Sequence, residues 1–406
     1  MKDDVVLTVV EPVDRIDSAD LPAWPQFDGT ERTALQRALD QGQWWRVSGR
    51  EVEEFEREFA AYNGAPYALA VTNGTAALEL AMRVHGIGPG DEVVVPAFTF
   101  ISTSLAVQNV GATPVPADVD ARHHCLTPEA VRAVLTERTR AIMPVHMAGH
   151  TADLTGLQRL AQSRDVALIQ DAAHAPGAVR DGALVGSHPS MACYSFQNGK
   201  LMTAGEGGAL TFPDEQSYER GYLMHTCGRP RDDLTYQHIT GGSNYRVTEF
   251  TAAVLRAQLA RLACHTRIRE QRAALLDELL AGVAGLTVQT RDIQVEVNPH
   301  YMYLLMLDEG CGMAGRNQLV ERLKAAGIPA CVNFPPVYRT AGYWCGPVPE
   351  TALDELAARC HNSEAIGARG LWLHHRVLLA EPETVERIAR VITDLVTSLP
   401  RSTPLG

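Results

Sequence analysis

From Glu51 to Asp171 the chain repeats one local pattern, a short, mostly apolar run followed by a turn and an amphipathic stretch. Glu51–Tyr62 carries Val52, Phe55, Phe59 and Tyr62 at helical spacing. Ala68–Val71 is a short apolar run that leads into Thr72–Thr75 and a helical stretch, Ala76–Val84. Asp91–Val95, Thr113–Ala117, Ala141–Val145 and Ala167–Gln170 repeat the run, and Phe100–Gln108, Pro128–Leu135 and Leu154–Ser163 repeat the helix. Runs without polar alternation suit strands covered on both faces, as in a parallel sheet flanked by helices. The pattern therefore predicts an α/β fold with a mainly parallel sheet. Ligands of such sheets gather beyond the carboxyl ends of the strands. Three segments of chemical interest fall there: Thr72–Thr75, Pro96–Phe98 and Asp171–His174.

The second half reads differently. A long helical pattern runs from Thr248 towards Leu280, followed by strands near Leu286–Gln289 and His300–Leu307. A helix around Lys324 and a final helix over Glu383–Leu399 complete it. We expect a loosely attached arm over residues 1–25, a large domain over 26–262 and a smaller α+β domain over 263–406. A net charge of −12 argues against nucleic acid or an anionic membrane as partner. No apolar stretch approaches the roughly 20 residues that span a bilayer. Acidic residues stand where a signal peptide needs basic ones, and the eight cysteines include no Cys-x-x-Cys pair. Both features predict a cytoplasmic protein with reduced thiols. The pairs His123–His124 and His374–His375 lack acidic or Cys companions at ligand spacing, so they read as structural and no metal is expected.

Lysine is nearly absent. Of 36 basic residues only Lys2, Lys200 and Lys324 are lysine. Lys200 sits in Tyr194–Ala209 among Ser, Thr and four glycines. Arginine could not replace a lysine needed for its amine, because a guanidinium neither deprotonates nor forms a Schiff base. The alternative is a chance lysine in a loop.

A Schiff-base lysine on pyridoxal phosphate needs companions: a carboxylate at the pyridine nitrogen, helix-terminal amides for the phosphate, and a flat group against the ring. Asp171 ends an apolar run, where a turn or cap residue is the plainer reading. Gly74, Thr75 and Ala76 open a helix directly after a strand, with Gly74 permitting close backbone approach. Phe98 could cover a ring face, and Ser195 could add a hydroxyl. None of these is specific alone; their joint occurrence around Lys200 is. A nucleotide-binding P-loop is the rival for Gly199-Lys200, but Leu201 replaces the required Ser/Thr and Tyr194 the first glycine.

Five segments in order, Asn73–Leu78, Pro96–Phe100, Gln170–Ala175, Ser195–Gly208 and Gly242–Arg246, resemble the DegT/DnrJ/EryC1/StrS sugar aminotransferase family. The resemblance implies the fold-type-I, aspartate aminotransferase-like architecture with a seven-stranded sheet, and pyridoxal 5'-phosphate as cofactor. It implies that Lys200 carries the cofactor, that Asp171 meets its ring nitrogen and that His174 lies near its 3-hydroxyl. Thr75, Ala76 and Ser195 would hold the phosphate, and Asn244 would reach the phosphate of a neighbouring subunit, hence a homodimer with active sites at its interface. Gln197, Asn198, Tyr245, Arg246, Tyr338 and Arg339 are the substrate candidates; Arg246, Arg339, Arg229 or Arg231 would meet a substrate carboxylate.

Gln197 stands where most of the family has His, which narrows the resemblance to two groups. One is the L-glutamine-dependent aminotransferases of keto-cyclitols, with a pathway oxidoreductase as supplier of the ketone. The other dehydrates and aromatises 5-amino-5-deoxy-3-dehydroshikimate in ansamycin-type antibiotic biosynthesis. Pro22–Gln26, Gln43–Arg46, Phe196–Gly208, Cys227–Asp233 and Trp372–Ala380 resemble the second, whereas Tyr245–Thr248 and Pro335–Arg339 look more like general sugar and cyclitol aminotransferases. A regulator that binds the cofactor without catalysis would carry a basic DNA-binding helix pair, and the sequence offers none.

Overall fold

The computed structural model describes residues 15–231, 234–344 and 350–400; Lys2, Asp232, Asp233 and Cys345 lie outside them. Seven strands form the large sheet: β1 Tyr67–Val71, β2 Glu92–Pro96, β3 Thr113–Ala117, β4 Thr139–Ile142, β5 Ala167–Asp171, β6 Met191–Ser195 and β7 Gly208–Phe212. Their order is β1-β7-β6-β5-β4-β2-β3. β7 pairs antiparallel with β1 and β6, and the remaining pairings are parallel.

Both faces are covered, as the unbroken apolar runs require. Leu69, Val71, Val93, Val95 and Ile169 pack on one face with Leu78, Ala81 and Met82 of helix Gly74–Val84. Ala68, Ala70, Ala192 and Tyr194 point the other way, against Phe55 and Phe59 of helix Glu51–Tyr62. Helix Gly74–Val84 starts two residues before the sequence pattern suggests, because Asn73 caps it by accepting from the Ala76 N–H at 2.8 Å. The β6–β7 pair was not expected, since the chemistry of the intervening segment masks two short, mostly apolar runs.

Helix Glu249–Leu280 spans 32 residues without a break. Its first half packs under the large sheet through Leu255 and Leu262. Its second half joins another core through Ala273, Leu276 and Leu280. The expected division at 262/263 falls inside it. That second core surrounds an antiparallel sheet, β8 Leu286–Val288, β9 Met302–Leu307, β10 Ala330–Val332 and β11 Gly370–His374, in the order β8-β9-β11-β10. Tyr303, Leu305, Leu371 and Leu373 face helices Gly312–Ala325 and Pro382–Thr397. Met302, Leu304 and Trp372 face the large domain. A small sheet of Val179–Arg180, Ala183–Leu184 and Val295–Val297 also joins the halves, too short for any sequence periodicity to announce.

Residues 15–25 are not a loose arm. Ile16 and Leu21 are 1% and 4% exposed in the C-terminal core, the Ile16 N–H donates to the Ala326 carbonyl at 2.9 Å, and Asp20 pairs with Arg387 at 2.9 Å. Two well-spaced apolar residues suffice to dock this segment, which shows no helical or strand period. The first 14 residues of the expected arm lie outside the described residues.

Candidate active site

The carboxyl edge of the large sheet opens into a cavity of about 830 Å³. The turn after β1 supplies Thr72–Ala76, that after β2 Thr99, Phe100 and Thr103, and that after β5 Asp171, Ala173 and His174. Ser195, Gln197 and Lys200 come from the end of β6 and the turn beyond it. The opposite wall is C-terminal: Tyr301, Met302, Phe334 and Trp372.

Asp171 is buried, and burial raises its pKa. It is held by Thr103 Oγ1, which donates to Oδ2 at 2.9 Å, and by the Ala173 N–H, which donates to Oδ1 at 3.2 Å. Lys200 directs Nζ to within 4.2 Å of the Tyr301 ring centroid. Desolvation lowers its pKa to about 8, against the opposing pull of Asp171. His174 stacks on Tyr301 with centroids 4.1 Å apart. Burial holds its pKa well below the usual value, and its Nδ1 has no partner among the described residues. At the far end, helix Gly74–Val84 directs its first turn at the cavity beside Ser195. A Cβ on Gly74 would lie 2.8 Å from Ser195 Cβ, and one on Gly208 would lie 2.5 Å from the Asn73 carbonyl, so both positions need glycine for three strand ends to meet.

The structure corrects several expectations. Phe98 is 1% exposed and packs in the core against Phe334 and His124, with centroids at 6.1 and 5.9 Å. The aromatic that this segment gives the cavity is Phe100, 52% exposed, because the chain leaves the sheet after Pro96 and strand alternation no longer sets direction. Ala76 lines the cavity, but its N–H goes to the Asn73 side chain, which leaves Gly74 and Thr75 to present the leading amides. Asn198 is turned out of the cavity wall, its carbonyl accepting from Trp24 Nε1 at 2.9 Å. Tyr338 is fully buried and donates to Glu364 at 2.7 Å, while Arg339 Nε pairs with the same carboxylate at 2.7 Å. A short 3-10 turn, Val337–Arg339, tied to the Ala97 carbonyl, directs both away.

Gln197 and Asn244 do line the cavity of this chain. Tyr245 also lines it, its hydroxyl donating to Glu79 at 3.2 Å. Arg246 lies 5.9 Å from the Trp45 ring, Arg229 4.4 Å from the Tyr236 ring, and Arg231 pairs with Glu219. Among the described residues the cavity wall holds no arginine, so the expected carboxylate-binding cation is absent from it. Sequence reasoning missed Glu79, Thr103, Glu206, Tyr301, Phe334 and Trp372. The polar ones sit on unexceptional helix or loop positions, and the aromatic ones read as core.

The geometry makes three separate demands on a ligand. A buried carboxylate short of a cation asks for a protonated heterocycle, an amine held near neutrality asks for a carbonyl, and a helix terminus beside a hydroxyl asks for a phosphate. Pyridoxal 5'-phosphate meets all three, and the unpartnered His174 Nδ1 suits its ring hydroxyl. The protein is a pyridoxal phosphate-dependent enzyme of fold type I.

Residues 26–393 match the DegT/DnrJ/EryC1/StrS aminotransferase family, and the chain belongs to it. It is 53% identical to the 3-amino-5-hydroxybenzoate synthase of Amycolatopsis mediterranei (strain S699), over 93% of this chain and 97% of that protein. It is 34% identical to the L-glutamine:2-deoxy-scyllo-inosose aminotransferase of Streptomyces fradiae, over 91% of this chain and 92% of that protein. The crystal structure of a 3-amino-5-hydroxybenzoic acid synthase superposes with a TM-score of 0.90 at 53% identity, covering 93% of this chain and 98% of that one. No described helix is long and apolar enough to cross a membrane.

Proposed function

We propose that the protein is a 3-amino-5-hydroxybenzoate synthase-like lyase of ansamycin-type antibiotic biosynthesis, which removes water from 5-amino-5-deoxy-3-dehydroshikimate and lets the ring aromatise. The observation that carries this reading is the 53% identity to such a synthase over nearly the whole chain. When bound, pyridoxal phosphate supplies an electron sink for the carbon that bears the substrate amine. Asp171 would keep a proton on the cofactor's ring nitrogen. Gly74, Thr75 and Ser195 would hold its phosphate, and His174 Nδ1 would meet its ring hydroxyl. Lys200 would take the α-proton as general base; its pKa, lowered to about 8, gives it a larger neutral fraction near neutrality than an ordinary lysine has. The C–O bond to the neighbouring hydroxyl would then break, the oxygen leaving as water with the proton that Lys200 took, and transfer of a ring C–H proton to the ketone oxygen would give the phenol. The aromatic wall of Tyr301, Phe334 and Trp372 favours a flat product.

A homodimer is the proposed working unit. Trp44, Trp45 and Phe100 are 51%, 47% and 52% exposed on one chain, and Phe100 also lines the cavity. The second protomer would cover them and supply the guanidinium that the wall lacks, with Asn244 serving the neighbouring phosphate.

The alternative, an L-glutamine-dependent aminotransferase of a keto-sugar or keto-cyclitol made by a partner oxidoreductase, draws support from the wall itself. Glu79 and Glu206 with no arginine suit an uncharged polyhydroxylated ring better than a carboxylate. Anaerobic mixing of holoenzyme with L-glutamine separates the readings. Conversion of the visible cofactor band near about 415 nm to one near about 330 nm would show a working amine half-reaction and favour a transaminase or a bifunctional enzyme. An unchanged spectrum, with water loss from the aminodehydroshikimate, supports the lyase.

A further inference from the structure

Two sequence segments, Pro22–Gln26 and Trp372–Ala380, bring Trp24 and His375, which the catalytic reading leaves unused, together on the turn that carries Lys200. Trp24 Nε1 donates to the Asn198 carbonyl at 2.9 Å. His375 Nε2 donates to the next carbonyl, that of Gly199, at 3.1 Å. The two rings pack edge to face with centroids 4.4 Å apart. Within the turn, Gln197 accepts twice: its Oε1 takes the Gly199 N–H at 2.7 Å, and its carbonyl takes the Lys200 N–H at 2.8 Å. The two peptide groups before Lys200, Asn198–Gly199 and Gly199–Lys200, are thus each held at both the carbonyl and the N–H. Only Gln197 belongs to the turn; Trp24 comes from the N-terminal segment and His375 from the C-terminal domain.

His375 is fully buried, and its Nδ1 has no partner among the described residues. Its one tie to the turn is the Nε2 contact, which fixes the tautomer with the proton on Nε2. Strand β11, which presents Trp372 to the cavity, ends at the residue before it. An immobile backbone matters here because Lys200 has to release the cofactor, take a proton and return it, and small displacements of a reacting group are costly.

We propose that Trp24 and His375 are positioning residues that clamp the Asn198–Gly199 backbone so that only the Lys200 side chain moves during turnover. The inference rests on Lys200 carrying the cofactor, and Lys200→Ala serves as the control for that. In holoenzyme, Trp24→Phe keeps the ring and removes the donor, and His375→Leu removes the second donor. Each is expected to lower kcat about 10- to 100-fold with KM nearly unchanged. Hydrogen exchange of the 196–204 amides should quicken in both. His375→Gln, which can still donate, should restore most of the rate, and the Trp24→Phe, His375→Leu double variant should lose less than the product of the single losses because both hold one turn. Unchanged kcat alongside an inactive Lys200→Ala would overturn the clamp while leaving the site intact. So would a rise in KM alone, or amide exchange that does not respond. Active Lys200→Ala would instead overturn the functional reading. If His375→Leu does not fold, Trp24→Phe, on a partly exposed residue, decides the matter.

Discussion

The two walls of the cavity are built from different materials. The wall on the large sheet is charge, hydroxyl and bare backbone: Asp171, Lys200, Thr103, Ser195 and Gly74 at strand ends. The C-terminal wall is aromatic and apolar: Tyr301, Met302, Phe334 and Trp372. Buried charges need fixed partners, so the first wall has little freedom to vary without losing the cofactor. The second is a packing surface, on which one flat side chain can replace another at modest cost. On the proposed function, the first wall carries the reaction type and the second contributes to substrate choice.

The largest test of this division is Lys200→Ala, expected to reduce turnover by at least about 10²–10⁴-fold while leaving the fold intact by circular dichroism. Measurable turnover would break the comparison at its centre. Asp171→Asn should cost about 10²–10³-fold in kcat through loss of the charge at the ring nitrogen. It should also move the pH dependence of cofactor capture. Only the neutral amine attacks a carbonyl, so capture by cofactor-free protein should rise with pH and level off above about 8, rather than near the usual 10.5 of lysine. Because Asp171 raises the Lys200 pKa, its removal shifts that midpoint to lower pH. On the other wall, Trp372→Ala should raise KM about tenfold with kcat within about threefold, and should leave the cofactor spectrum unaltered. A large fall in kcat would show that the aromatic wall also governs chemistry.

The smallest effect on activity is expected at Asp118, which lies outside both walls. It accepts from Asn362 N at 3.0 Å and from Ser363 N and Oγ at 2.9 and 2.7 Å, capping helix His361–Arg369 from the end of β3. Asp118→Ala should lower stability by about 1–2 kcal/mol in urea unfolding, with kcat unchanged.

Part of the first wall was legible in the sequence because its constraints are local, although Thr103 was not. A lysine among arginines, an Asp closing an apolar run and a Gly-Thr pair between strand and helix each announce themselves within a few residues. The second wall was not. Tyr301 and Trp372 sit on or beside strands whose alternate residues fill a core, and nothing in an apolar strand says which of its two faces will border a cavity. Phe98 and Phe100 show the same limit at close range: both follow Pro96, and only the path of the chain beyond the strand decides which is buried. Tyr338 and Arg339 were assigned to substrate by family likeness, yet Glu364, 25 residues further along, holds both in this chain.

The strand order also governs when a working site can exist during synthesis. β1 lies at the edge of the sheet with β7 as its sole neighbour in it. On a ribosome, β1 therefore emerges with nothing to pair with, and waits until Gly208–Phe212 has been made. The amides after β1 consequently reach the cavity only when the hairpin bearing Lys200 closes on them.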